Sequence, residues 1–186
     1  LALALQKESK EHFQHIALDQ FRDGLPPSLR GLNSPADDPG SLGLNVIPEI
    51  IKGKSVTSIK FGDYGEKVLM VMRRTVSQLA EAGCSVVVDD ILFKKDYLLD
   101  YVSVLQPSKT WLVAVRCDLK IVRQREAARA GRFPGTADSH FDSIHDHGVP
   151  YDIEVDTSTR SATDLAHEII DGIKVRPCAF HNLLNR

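Results

Sequence analysis

Three short apolar runs between Cys84 and Thr157 decide the fold: Cys84-Ser85-Val86-Val87-Val88-Asp89-Asp90, Trp111-Leu112-Val113-Ala114-Val115-Arg116-Cys117-Asp118 and Tyr151-Asp152-Ile153-Glu154-Val155-Asp156-Thr157. Each is rich in β-branched residues, is separated from the next by a helical pattern, and ends in charge. Strands alternating with helices define an α/β protein with a parallel sheet. In an open parallel sheet, ligands bind beyond the carboxyl ends of the strands. Carboxylates at that edge, followed by a helix carrying Arg123, Arg125, Arg129 and Arg132, suit magnesium and a polyphosphate.

Working outward, Tyr64 to Ala82 places Val68, Leu69, Val71, Met72, Val76 and Leu79 on a helical stripe closed by Gly83. A helix from about Lys94 to Leu105 separates the first two strands, and the arginine helix runs from Leu119 to about Ala130. Gly131, Pro134 and Gly135 break it, and a second helical piece is expected from Ala137 to His147. Ser161 to Ile173 reads as an amphipathic helix, and the tail from Lys174 carries no clear pattern. Towards the N-terminus, His15 to Asp19 is a strand candidate and Gln20 to Leu25 a helical turn. Ser28 to Leu44, rich in Gly, Pro, Ser and Asp, is expected to be a mobile loop. Val46 to Phe61 alternates about Lys52-Gly53-Lys54, the pattern of an inserted β-hairpin. Leu1 to about Phe13 reads as the remainder of a helix begun upstream.

The 186 residues are expected to form a single domain, residues 1–186, with enough apolar sequence for a core. A net charge of −2 gives no global electrostatic case for a nucleic-acid partner or an anionic membrane. No apolar run is long enough to span a bilayer. Cys84, Cys117 and Cys178 show neither zinc spacing nor a disulfide framework, which fits a reduced, cytoplasmic setting. Oligomeric state is not readable.

The candidate site residues each carry two readings. Asp89 and Asp90, after three valines, are placed to hold magnesium or to cap the following helix. Arg125 and Arg129, four apart on one helix face, and Arg132 a turn beyond can grip phosphate oxygens in a lid. The plainer reading is a solvated face with Glu126 as partner. Asp19 is placed either to accept the proton of an attacking hydroxyl or to cap. His140, His145 and His147 surround a turn without the cysteine or carboxylate spacing of a zinc site. Gly53-Lys54-Ser55 imitates the end of a phosphate-binding loop. The glycine required five positions earlier is Pro48, so it reads as a hairpin turn.

Val87-Val88-Asp89-Asp90, Val115-Arg116-Cys117-Asp118, Arg125-Glu126-Ala127-Ala128-Arg129 and Gly148 through Thr157 together resemble chloramphenicol phosphotransferase and its relatives. Order and spacing agree from about Gly62 to Ala166, with a weaker match from Ala4 to Pro26. The resemblance implies an α/β three-layer P-loop kinase-like fold with a lid at about residues 119–147 and an insertion at about residues 28–61. It further implies transfer of the γ-phosphate of ATP, with Mg²⁺, to a hydroxyl of a small molecule, chloramphenicol-like acceptors included. Asp19 would be the base and Arg132 a second catalytic residue. Arg125, Arg129 and Arg132 would bind the nucleotide phosphates, and Asp89 and Asp90 would line the magnesium side. His145 falls on a histidine of the family pattern without an assigned role.

The family opens with a strand and a Gly-Lys-Ser loop that align just before Leu1, so a truncated record is expected. The acceptor region from Ser28 to Phe61 follows the family poorly. A non-catalytic nucleotide-binding or sensor protein built on the same fold is the competing expectation.

Overall fold

The computed structural model describes residues 1–129 and 133–184. In chain order they form α1 (Ala2–Glu8), β1 (Gln14–Ala17), α2 (Leu18–Asp23), β2 (Arg30–Leu32), β3 (Leu44–Ile51) and β4 (Lys54–Phe61). Then come α3 (Asp63–Glu81), β5 (Val86–Asp89), α4 (Lys95–Val104), β6 (Val113–Arg116), α5 (Leu119–Ala127) and α6 (Thr136–His140). Last are β7 (Ile153–Asp156), α7 (Ala162–Gly172) and α8 (Ala179–Leu184). Two compact units share the chain, one of Leu1–Ala17, Arg73–Cys117 and His145–Arg186, the other of Leu18–Met72 and Asp118–Ile144.

In the first unit the strands pair in parallel, β1 with β5 from Gln14↔Val86 to Ala17↔Asp89, and β6 with β7 from Val113↔Ile153 to Arg116↔Asp156. In-register parallel pairing brings the charged ends of each pair to one edge. A core of Leu5, Val155, Leu165, Ala166 and Ile169, with Val87, Val113 and Ile153 packed on it, joins α1 and α7 to the strands. α7 starts where the Ser161 hydroxyl accepts from Asp164 N at 3.1 Å, an N-cap, and buries Leu165, Ala166 and Ile169 on one stripe. Gly172 lets α7 approach β7 closely: a Cβ there would lie 2.7 Å from Ile153 Cδ1, and that side chain would have to move.

Among the described residues each strand of the first unit has one strand neighbour. Val86, Val87 and Val88 are therefore only half-buried and Val115 is 45 % exposed, although their sequence is that of strands covered on both sides. Among the described residues beyond Lys174, α8 forms and is tied to the strands. Asp152 accepts from Leu112 N at 2.8 Å, Cys178 N at 2.7 Å and Ala179 N at 3.0 Å, fixing the start of α8. Trp111 Nε1 donates to Val175 O at 2.8 Å.

In the second unit β3 and β4 form the expected hairpin, paired from Leu44↔Phe61 to Ile51↔Lys54. Its turn is Lys52-Gly53, with φ of 49° and 76°, the doubly left-handed backbone of a two-residue hairpin. Gly53-Lys54-Ser55 is thus a turn leading into a strand, with no helix opening behind it to receive a phosphate. The segment read as a loop from Ser28 to Leu44 instead contains β2, parallel to β3 from Arg30↔Leu44 to Leu32↔Val46. Buried Asn45 secures that segment, donating to Ser34 O at 2.8 Å and accepting from Ser34 N at 3.1 Å. A side chain-to-backbone clamp between residues 11 apart leaves no periodic trace. Pro48 is tolerated within β3 because Thr57, opposite it, turns its N–H away to Gly135 O at 3.2 Å.

α3 ends as the glycine signal requires: Gly83 has φ 86°, and Cys84 N donates to Leu79 O at 2.9 Å. Its buried face differs from the apolar stripe. Leu69, Met72 and Val76 are buried together with Arg73 and Ser77, whereas Val71 is 51 % exposed.

Candidate active site

In the first unit, Asp89 and Asp90 stand at the carboxyl end of β5 in different surroundings. The Asp89 side chain is 69 % exposed, and its Oδ2 lies 3.9 Å from His15 Nε2 on the neighbouring strand. The Asp90 carboxylate is used internally. Oδ1 accepts from Ile91 N at 2.8 Å, and Oδ2 accepts from the Tyr101 hydroxyl at 2.9 Å. Burial pushes the Asp90 carboxyl above its ordinary pKa, outweighing the Tyr101 and Ile91 bonds and the charge of Arg73. Neither aspartate caps α4, whose N-cap is Lys94.

Beneath Asp90 lies a cluster that the sequence reading missed. Arg73 is 3 % exposed, donates from Nε and Nη2 to Asp100 Oδ2 at 3.0 and 2.8 Å, and sits 4.5 Å above the Tyr97 ring. The signal was present as a basic residue inside the stripe of Leu69, Met72 and Val76. A charge on an apolar face needs a counter-charge within reach.

At the end of β6, Arg116 donates to Glu154 Oε2 at 2.6 Å, with its guanidinium 5.8 Å from the Tyr151 ring. The Tyr151 hydroxyl lies 2.9 Å from His145 Nδ1, with the two rings edge-to-face. Burial, then the charges of Arg116 and His147, lower the His145 pKa.

The second unit holds the other candidates. Asp19 does not end a strand: β1 stops at Ala17, and Asp19 is in the first turn of α2. A helix turn is preferred there because Arg22, three residues on, meets Asp19 Oδ1 at 2.7 Å, and an acidic first turn suits the helix dipole. Arg22 also donates from Nε to Asp23 Oδ1 at 2.9 Å. Burial opposes its charge, but the bonds and charges of Asp23 and Asp19 prevail and raise its pKa. Half of the Asp19 side-chain surface stays open to solvent.

α5 begins at Asp118, whose carboxylate accepts from Lys120 N at 2.8 Å. Its arginines divide. Arg123 is spent on Asp138 of α6, and that bond first, against a small burial effect, lowers the Asp138 pKa. Arg125 and Arg129 are exposed. The Glu126 carboxylate receives two backbone donors beyond the helix: Oε2 accepts from Gly135 N at 3.0 Å and Oε1 from Ala137 N at 2.9 Å. Arg132 lies outside the described residues. The second helical piece is shorter than expected, Thr136–His140, because turns follow it.

Asp19, Arg125 and Arg129 thus belong to the second unit, and Asp89, Asp90 and His145 to the first. No cluster of three or more potential metal-binding side chains occurs among the described residues. No helix among them is long and apolar enough to cross a membrane.

Parallel strand pairs alternating with helices define the α/β class of this protein. Residues 1–174 match the family described as “Chloramphenicol phosphotransferase-like protein”, and the chain belongs to that family, with its P-loop kinase-like fold. Two proteins from strains of Mycobacterium tuberculosis, each named “Putative O-phosphotransferase”, are 26 % identical to it over 196 aligned positions. The alignment covers 100 % of this chain and 82 % of each relative. Family and relatives together support a phosphotransferase.

Proposed function

We propose that the protein is an ATP-dependent phosphotransferase that moves the γ-phosphate of ATP to a hydroxyl of a small molecule, with chloramphenicol-like alcohols as one acceptor class. The observation that carries this reading is the Asp19–Arg22 pair: a half-exposed carboxylate held by a guanidinium at 2.7 Å, directly after β1. An oriented carboxylate with solvent access is what an acceptor hydroxyl needs from its base.

Asp19 accepts the hydroxyl proton on a carboxylate oxygen as the hydroxyl oxygen bonds to phosphorus and the bridging oxygen to the β-phosphate departs. Arg22 fixes the rotamer that does this. Arg125 and Arg129 meet phosphate oxygens with forked donors that keep their charge at any physiological pH. For magnesium the two aspartates differ in fitness. Asp89 offers an exposed carboxylate of the kind that shares Mg²⁺ with substrate phosphates and water, whereas Asp90 is committed to Tyr101 and Ile91. Asp89 is therefore the residue that would hold magnesium, while Asp90 stays bound to Tyr101 and Ile91. Bound Mg²⁺ would neutralise phosphate charge during transfer.

The test is a screen of hydroxylated small molecules with MgATP and the full-length protein, reading phosphorylated product by mass. Product from the wild type and none from Asp19→Asn supports the reading. MgATP binding without transfer to any acceptor would place the protein among non-catalytic nucleotide-binding relatives instead.

A further inference from the structure

In the second unit, Pro134–Gly135 lies against strand β4 of the inserted hairpin. Thr57 of β4 donates its backbone N–H to Gly135 O at 3.2 Å and its hydroxyl to Pro134 O at 2.8 Å. The approach is close, since a Cβ on Gly135 would lie 3.3 Å from Val56 Cα. Gly135 has φ 79°, the left-handed backbone that presents both its carbonyl and its N–H to neighbours. That N–H, with Ala137 N, is received by the two oxygens of Glu126. Pro134–Gly135 is thus gripped from both sides, by Thr57 of the hairpin and Glu126 of α5.

Glu126 is in the last turn of α5. Arg125 immediately precedes it, and Arg129 follows within one turn, with Arg129 N donating to Glu126 O at 3.1 Å. A second tie, Lys52 Nζ to Asp142 Oδ2 at 2.7 Å, joins the hairpin turn to the segment after α6, but both partners are exposed. Exposed pairs contribute little. The firm connection is the chain Thr57, Pro134–Gly135, Glu126.

We propose that Thr57 and Glu126 are positioning residues, through which the inserted hairpin sets the last turn of α5, which carries Arg125, and the residues just past it, where Arg129 lies. This rests on the reading of those two arginines as phosphate-binding. Neither positioning residue is needed to touch the nucleotide. Their work is to remove the freedom of the helix end, so that two guanidiniums meet phosphate oxygens already aligned.

The experiment measures ATP and AMP affinity, with magnesium, for the full-length protein by titration calorimetry. Thr57→Val removes the hydroxyl while keeping a β-branched strand residue. We expect the ATP Kd to rise about threefold to tenfold, one hydrogen bond's worth, while the AMP Kd stays within about twofold. Thr57→Ser should restore ATP affinity, because it returns the hydroxyl. Glu126→Gln, a second variant independent of strand propensity, should also weaken ATP more than AMP. If Arg125→Ala and Arg129→Ala weaken ATP binding but Thr57→Val and Glu126→Gln do not, the positioning role is wrong and the phosphate reading stands. Equal weakening of ATP and AMP also overturns the positioning role. If the arginine variants bind ATP like the wild type, the phosphate reading itself fails, and this proposal with it.

Discussion

Asp90 receives the Tyr101 hydroxyl on Oδ2 at 2.9 Å while its other oxygen accepts the N–H of Ile91. The two bonds hold a mostly buried carboxylate whose ionised form burial still disfavours, so its folded pKa lies above the ordinary 3.8. An acid raised in the folded state binds its proton more tightly there than in the unfolded chain. Stability is therefore greatest below the unfolded pKa and is lost as pH rises from 3.8 through the raised folded value. Asp90→Asn removes the charge and keeps one acceptor oxygen for the Ile91 N–H, while its amide NH2 can donate to the Tyr101 hydroxyl oxygen. In metal-free buffer its Tm should exceed the wild type's at neutral pH, with the gap closing on acidification. A gap that widens towards acid would contradict the burial assignment.

Asp19→Asn should leave MgATP binding near the wild-type value while lowering transfer by about 10²- to 10⁴-fold, the usual contribution of a positioned general base. Arg22→Leu should be milder and act on kcat, because it loosens the Asp19 rotamer and leaves the carboxylate in place. Steady-state kinetics with the first acceptor found will separate these effects. Full turnover in the asparagine variant excludes Asp19 as the base.

The sequence was most readable where one period persists. The valine run into Asp89, the α3 stripe and the alternation of β3 and β4 each repeat a local rule over many residues. β1 was legible as a strand but not its end: four residues are too few to show where alternation gives way to the Asp19–Arg22 turn. β2 was hidden because three residues among glycines and prolines carry no period. The site separated in the same way. Charges at strand ends declared themselves, whereas Arg73 with Asp100, 27 residues apart, and Thr57 with Pro134, 77 apart, became partners only through the fold. The two backbone amides that Glu126 receives lie 9 and 11 residues on, so they too were hidden until the chain folded.

Asp152 holds three backbone N–H groups from two places, the start of β6 and the start of α8. Asp152→Ala leaves all three to find other acceptors and should cost about 2–4 kcal/mol, because some of them regain water. Urea unfolding gives this directly. Truncation before Val175 should approach the same loss, since it removes α8 and the acceptor of Trp111 Nε1. A loss below about 0.5 kcal/mol for Asp152→Ala, the range of ordinary surface substitutions, would show that the tail is not secured in this way.

The Arg73–Asp100 pair permits a sharper energetic test, because its partners are unequally buried. The Arg73 side chain is 3 % exposed and that of Asp100 47 %. Asp100→Asn leaves a guanidinium enclosed beside Tyr97 without its counter-charge and should cost about 3–5 kcal/mol. Arg73→Met keeps most of the buried volume and abolishes the charge; the Asp100 left behind is hydrated on its open side, so this variant should lose less. Once Arg73 is methionine, Asp100→Asn has no buried charge to strand. The double variant should then be more stable than Asp100→Asn alone, with a coupling of about 1–3 kcal/mol. Strict additivity in that cycle would mean that Arg73 is held by the Tyr97 ring and its packing, with Asp100 a bystander. The outcome bears on Asp90, whose charged form Arg73 favours. Arg73→Met removes that charge, so it should raise the folded Asp90 pKa further and move the loss of stability to higher pH.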